Sequence, residues 1–187
     1  MNLTFNHLDL SNRYDFLSSL PKHFQLAAEI GVWTGDYSYE ILNRTNMMLY
    51  SIDLWYPTPT YNDPVNEHTQ RYMQTLSNLN SYGSRSVIVK KRSIDAALMI
   101  KDNSLDFIYI DGEHTYEALS QDIYTWWPKL KAGGVFAGHD YDERAPGVIR
   151  TIGEFAKYMN QPFRITGVGG RAKRGDDAHS PSWVFIK

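Results

Sequence analysis

Apolar residues along this chain fall into two alternating kinds of run. Short continuous runs rich in Val, Ile, Leu and aromatic residues read as buried strands, and longer stretches with apolar positions three or four apart read as helices. Strands are expected at 26–32 (LAAEIGV), 48–55 (MLYSIDLW), 87–92 (VIVKKR), 105–112 (LDFIYIDG) and 134–140 (GVFAGHD). Between and after them the helical pattern covers 36 to about 43, 66–80, 93–100, 115–130 with Pro128 near its end, and 146–159 around Gly153. Residues 11–20 form a short leading helix with Ser11 as its cap, so that 1–24 is a helical extension. The prolines of YPTPTYNDP, at 56–64, make that segment a loop, and 131–134 reads as a turn. The last strands, 163–168 and 182–187, have too little chain between them for a crossover helix and should pair antiparallel. A mostly parallel α/β sheet ending in a hairpin follows.

At 187 residues the chain fits one domain spanning 1–187. The 19 basic and 21 acidic residues give a net charge of -2, so no overall positive field is available to hold a polyanion, and no nucleic acid is expected as partner. Cysteine is absent, which removes thiolate metal sites and cysteine nucleophiles, including the one that cytosine C5 methylation needs. No apolar run approaches the ~20 residues of a membrane span and no leader pattern opens the chain, so a cytoplasmic protein without membrane contact is expected. The high aromatic content, with 13 Tyr and 5 Trp, is read as packing rather than as a carbohydrate surface.

Candidate chemistry gathers where strands end. Glu29-Ile-Gly31-Val32-Trp33-Thr-Gly35 joins the first strand to the next helix, where glycines admit a ligand close to the backbone and a helix N-terminus offers N–H groups. Its Glu-x-Gly-x-x-x-Gly spacing differs from the Gly-x-Gly-x-x-Gly of dinucleotide binders and disfavours a nicotinamide oxidoreductase. Asp53, at the end of the second strand with Leu54 beside it, is placed to accept the hydroxyls of a ribose; its alternative role is a strand-end turn.

These segments, together with 106–111 and 133–141, resemble the successive motifs of class I S-adenosylmethionine-dependent methyltransferases over roughly 24–187. The run DFIYIDGEHTYEALSQDIYTWWPKLKAGGVFAGHDY is similar to the branch holding macrocin-type sugar O-methyltransferases and, more distantly, catechol O-methyltransferases. The resemblance implies a Rossmann-like, doubly wound, mostly parallel seven-stranded sheet with an antiparallel last strand. It also implies that Glu29, Gly31, Val32, Trp33 and Gly35 contact the methionine part of S-adenosylmethionine, that Asp53 and Leu54 hold the ribose, and that Ser93 in 92–94 meets the adenine.

The branch's metal ligands map onto Asp111, which also borders the cofactor and counts among the catalytic residues, and onto His139 and Asp140. The pair His139-Asp140 departs from the two acidic or amide residues usual there, which leaves Mg²⁺, Mn²⁺ and a metal-free site as alternatives. His114 or Glu113 would be the general base, a histidine suiting removal of a hydroxyl proton; the pair could instead cap the helix that follows. Asp63-Pro64 lies outside the position of an amino-methylating tetrad, Trp126 and Trp127 read as core and rim, and Arg171, Lys173, Arg174, Asp176 and Asp177 as a solvated loop.

The expected activity is therefore O-methylation of a hydroxyl on a small molecule or sugar, with 56–70, 141–147 and 169–181 walling the acceptor pocket. With no cap domain, that pocket is either open or completed by a second copy in a homo-oligomer. The rival expectation is an accessory protein that binds S-adenosylmethionine or another nucleotide without turnover.

Overall fold

The computed structural model describes residues 3–167 and 180–187. Its centre is a seven-stranded sheet made of β1 (Leu26–Ile30), β2 (Met48–Asp53), β3 (Ser86–Lys90), β4 (Leu105–Ile110), β5 (Leu130–Gly138), β6 (Phe163–Ile165) and β7 (Trp183–Ile186). The strand order is β3-β2-β1-β4-β5-β7-β6. The first five strands run parallel, and β7 enters antiparallel between β5 and β6, as the short connection required.

Helices cover both faces, and the period-2 alternation of the strands explains why. On one side Ala27, Phe107, Tyr109, Val135 and Ala137 pack under α1 (Arg13–Ser19), α2 (Asp36–Arg44) and the end of α3 (Val65–Leu79). On the other, Ala28, Ile108, Ile110, Phe136 and Phe185 meet α4 (Ser93–Ala97), α5 (Tyr116–Trp126) and α6 (Pro146–Met159). Buried on both faces, β4 is apolar along almost its whole length, as central parallel strands are. Trp126 and Trp127 are both buried, so the second is core rather than rim.

Four local expectations are corrected. Asn12 rather than Ser11 caps α1, because its side chain accepts from the N–H groups of Tyr14 and Asp15. The helix at 93–100 stops at Ala97, and that at 115–130 gives way at Trp127 to a 3-10 turn holding Pro128, which has no N–H to continue an α-helix. The supposed turn at 131–134 is part of β5. Gly133 N–H donates to Lys187 O and Lys187 N–H to Gly134 O, so this segment finds its backbone partners in the sheet. Gly133, at φ +78°, takes up the irregularity that sets Leu105 opposite Leu130 but Phe107 opposite Val135. Most of the charged loop at 169–181 lies outside the described residues. No helix among the described residues is long and apolar enough to cross a membrane.

Candidate active site

The strand order reverses direction between β1 and β4, and ligands of open α/β sheets bind at the carboxyl ends of strands beside such a point. A cleft of about 950 Å³ opens there, in the size range of small-molecule sites. It runs from Arg13 and Tyr37 at one end to Ser93 and Gln121 at the other.

The glycine loop lines this cleft, but its residues do different work from that expected. Gly31, at φ +85°, faces the neighbouring backbone: a Cβ would stand 2.2 Å from the Asp111 carbonyl oxygen, so glycine lets β1 and β4 close up where the site begins. Trp33 also has a left-handed backbone, at φ +56°, a conformation that costs energy in a bulky residue and needs outside support. Asp53 gives that support. Its Oδ2 accepts the N–H groups of both Val32 and Trp33 at 2.9 Å, and its Oδ1 accepts Trp55 N–H at 2.8 Å. The residue expected to hold a ribose thus also fixes the loop, and three of the roughly four acceptor positions of a carboxylate are used in doing so. Glu29 is buried beneath, accepting from the Ser38 hydroxyl.

The acid and imidazole cluster sits at the ends of β4 and β5. Asp111 N–H donates to Ile30 O and His139 N–H to Ile110 O, so the parallel ladder continues one residue past each strand and sets the two side by side. Asp140 turns into the left-handed region, φ +58°, which swings its carboxylate back toward both histidines. Its Oδ2 is 2.8 Å from His114 Nε2 and 3.3 Å from His139 Nδ1, and Asp111 Oδ1 is 3.7 Å from His139 Nδ1. Burial alone would raise the Asp140 pKa, but the bonds to His114 and His139 outweigh it and hold the carboxyl well below its usual range. The same bond to Asp140 raises the His114 pKa against the opposing effect of burial, which makes that imidazole a stronger base.

Two carboxylates and an imidazole form a mixed set of hard oxygen and borderline nitrogen donors. Asp111, His139 and Asp140 each offer one ligand atom, all within 4.8 Å of one another, and buried His139 Nε2 has no hydrogen-bond partner among the described residues.

Several residues here escaped the sequence reading. Arg13 reaches in from α1, its NH2 group 3.2 Å from Asp111 Oδ2 and its guanidinium 4.0 Å from the centre of the Tyr37 ring. Tyr61, in the proline-rich loop, has a hydroxyl pKa pushed up to about 12 by burial and then by the charges of Asp111, Asp140 and Glu113. Thr60 donates to Glu113, which ties the same loop across the cleft. Asp122 is buried beside Ser93, whose hydroxyl donates to it and accepts from Trp126 Nε1 at 2.8 Å. One signal pointed to Asp122: an acid in line with Leu119, Ile123 and Trp126 interrupts the apolar stripe of a helix. No comparable signal marked Arg13 or Tyr61.

All the expected cofactor residues on the glycine loop, with Asp53, Leu54 and Ser93, border the cleft, except that Gly35 caps α2 and packs on Thr75. Glu113 and His114 border it too, while Thr115 takes the capping role expected of them, accepting from Ala118 N–H. Of the expected wall 56–70, residues 56–59, Tyr61 and His68 line the cleft, whereas 141–147 does not. There Asp142 turns outward to pair with Arg144 and Ser180, folding that segment onto the region before β7.

A family model described as a methyltransferase domain matches residues 28–141, more than half of the chain. Among curated proteins, an uncharacterised protein of Sinorhizobium fredii is 30% identical over 76 residues, 41% of this chain; the chain spans 8% of that relative's length. Among solved structures, the O-methyltransferase from Bacillus cereus in complex with SAH is similar with a TM-score of 0.67 at 15% identity, covering 94% of this chain and 80% of the other. An rRNA methylase from Streptococcus thermophilus reaches a TM-score of 0.62 at 11% identity, covering 93% of each chain. At such identities the likeness is one of fold.

Proposed function

This chain belongs to the methyltransferase-domain family, and from that membership we propose that its cleft binds S-adenosylmethionine and delivers the methyl group to a hydroxyl oxygen of a small molecule or sugar. The methionine part lies along Glu29, Gly31, Val32 and Trp33, the ribose at Asp53 and Leu54, and the adenine against Ser93. The observation that carries the hydroxyl acceptor is the His114–Asp140 pair, 2.8 Å apart in the same cleft as the glycine loop. Resemblance of the 106–141 run to macrocin-type sugar O-methyltransferases supports the same acceptor chemistry.

In this reading the acceptor oxygen attacks the methyl carbon in line with the breaking bond to sulfur, and S-adenosylhomocysteine leaves. The hydroxyl proton passes to His114. Assigning the Nε2 proton toward Asp140 leaves Nδ1 as the accepting atom, and the Asp140 carboxylate stabilises the imidazolium that forms. Glu113 is the weaker candidate, because it is engaged by Thr60 and Thr115. Asp111, His139 and Asp140 are the residues that would hold Mg²⁺ or Mn²⁺, which supplies a lower pKa to a hydroxyl bound to it.

Calorimetric titration of S-adenosylmethionine and S-adenosylhomocysteine, with and without each metal, tests the cofactor, and label transfer to hydroxylated acceptors tests the reaction. His114→Ala is expected to lower turnover by about 10²- to 10⁴-fold and leave cofactor affinity unchanged. Full turnover in that variant would refute the base assignment. Binding without transfer to any acceptor would favour an accessory protein, and no binding under any condition would remove the reading.

A further inference from the structure

We propose that Arg13 binds the α-carboxylate of the methionine part of the cofactor, so that α1 is one wall of the cofactor site. The inference rests on S-adenosylmethionine being the ligand and adds a residue outside the 28–141 segment that the family model matches.

S-adenosylmethionine carries two cationic groups, the sulfonium and the α-ammonium, and one anionic group, the carboxylate. The glycine-loop end of the cleft is rich in acids, with Glu29, Asp36, Asp53 and Asp111 on its walls, which suits the cations. The carboxylate needs a cation of the protein at that same end, since a buried carboxylate without one is costly.

Four Lys or Arg side chains border the cleft among the described residues: Arg13, Arg71, Lys91 and Arg92. Lys91 and Arg92 follow β3, beside Ser93, and so belong to the adenine end. Arg71 lies over the Trp33 ring of the glycine loop and already serves two carboxylates, Asp63 at 2.9 Å and Glu67 at 3.2 Å. Arg13 and Arg71 both reach the glycine-loop end, and Arg13 is the more deeply set, its carboxylate partner, Asp111, itself bordering the cleft.

Its setting is that of a placed group rather than a surface charge. The side chain is 4% exposed and lies against the Tyr37 ring. Phe16 and Leu17 of the same short helix are buried in the core, with the Phe16 ring 5.9 Å from that of Phe107, so the backbone that carries Arg13 is anchored to β4. A guanidinium offers five N–H donors in a planar fork and can serve more than one carboxylate, so the 3.2 Å bond to Asp111 is compatible with a ligand carboxylate beside it. Asp111, in turn, is oriented from one side by Arg13 and faces His139 on the other, which couples the cofactor end of the cleft to the acid and imidazole cluster.

The test compares two ligands on the full chain: S-adenosylmethionine and its decarboxylated form, which keeps the sulfonium and the adenosine but has no carboxylate. Calorimetry is run on the native protein, Arg13→Gln and Arg13→Lys, with far-ultraviolet circular dichroism to verify folding. The native protein should prefer S-adenosylmethionine. Arg13→Gln should weaken S-adenosylmethionine by about tenfold or more while moving the decarboxylated ligand less than twofold, and Arg13→Lys should recover part of the loss. Equal weakening of both ligands, or none for either, overturns the assignment while the cofactor reading stands. Failure of the native protein to bind S-adenosylmethionine overturns both. Because each comparison is made within one variant, a general loosening of α1 cannot imitate a carboxylate-specific loss.

Discussion

Asp122 is a carboxyl group set among Leu119, Ile123 and Trp126, and its burial has a thermodynamic price that pH exposes. Burial raises its pKa from 3.8 to about 6, with the hydrogen bond from Ser93 pulling the other way. The folded state therefore holds this proton more tightly than the unfolded chain. That contribution is fully present below about pH 4 and is lost as pH climbs through about 6, a change of about 3 kcal/mol. Asp122→Asn keeps an acceptor for Ser93 and cannot ionise. Urea unfolding should then show native stability, relative to this variant, falling across that window; parallel pH profiles would mean that the carboxyl ionises normally in the fold. Gly31 is set by a contact distant in sequence. Its place in the motif was legible, but its reason was not: the glycine is required by the 2.2 Å approach of Asp111 O, a contact between strands distant in sequence. Arg13 was invisible for the same cause, since only the folded chain brings residue 13 to residue 111.

Elements position the side chains of the cleft through contacts made outside it. Gly147, in the first turn of α6, lies so close to the segment before α5 that a Cβ would meet His114 O at 2.6 Å and Tyr116 N at 2.7 Å. Gly147→Ala must therefore push the two backbones apart and move His114 away from Asp140. Expected outcomes are a loss of about 1–3 kcal/mol in stability and a fall in kcat larger than any change in cofactor affinity, read from thermal unfolding and steady-state kinetics. Unchanged kcat would show that α6 does not set the position of His114. Strands and helices with strong periodicity were legible in the sequence, and their boundaries drifted where side chains gave no cue. At 131–134 the composition is that of a turn, while the backbone is sheet because Lys187, far along the chain, supplies its partners. The tie from Thr60 to Glu113 was equally hidden, since the proline-rich loop has no period to place it.

At the scale of the molecule, the cleft draws on α1, the ends of β1, β2 and β4, the start of α5 and the segment after β5, so a ligand there braces the fold as a whole. A ligand that binds only the folded state contributes about 2.7 kcal/mol at a hundredfold excess over its Kd, or about 5–10 °C in Tm for a chain of this size. Scanning fluorimetry with S-adenosylhomocysteine should show that rise; an unmoved transition at saturation would place the ligand elsewhere or nowhere. The parallel sheet and the terminal hairpin were readable from alternating runs and one short connection. Which face each helix covers and how the cleft is closed were not, because those depend on how distant segments pack rather than on any local pattern.

The insertion of β7 between β5 and β6 carries a consequence for biosynthesis. Val135 to Gly138 pair with β7 along one edge of β5, and Tyr141 N–H donates to Pro181 O just past His139 and Asp140. A nascent chain that has left the ribosome only as far as α6 already contains every residue of the acid and imidazole cluster, yet β5 still has an open edge. At that stage the corner that holds His139 and Asp140 is braced from the β4 side alone, through His139 N–H to Ile110 O, and β7 supplies the brace on the other edge.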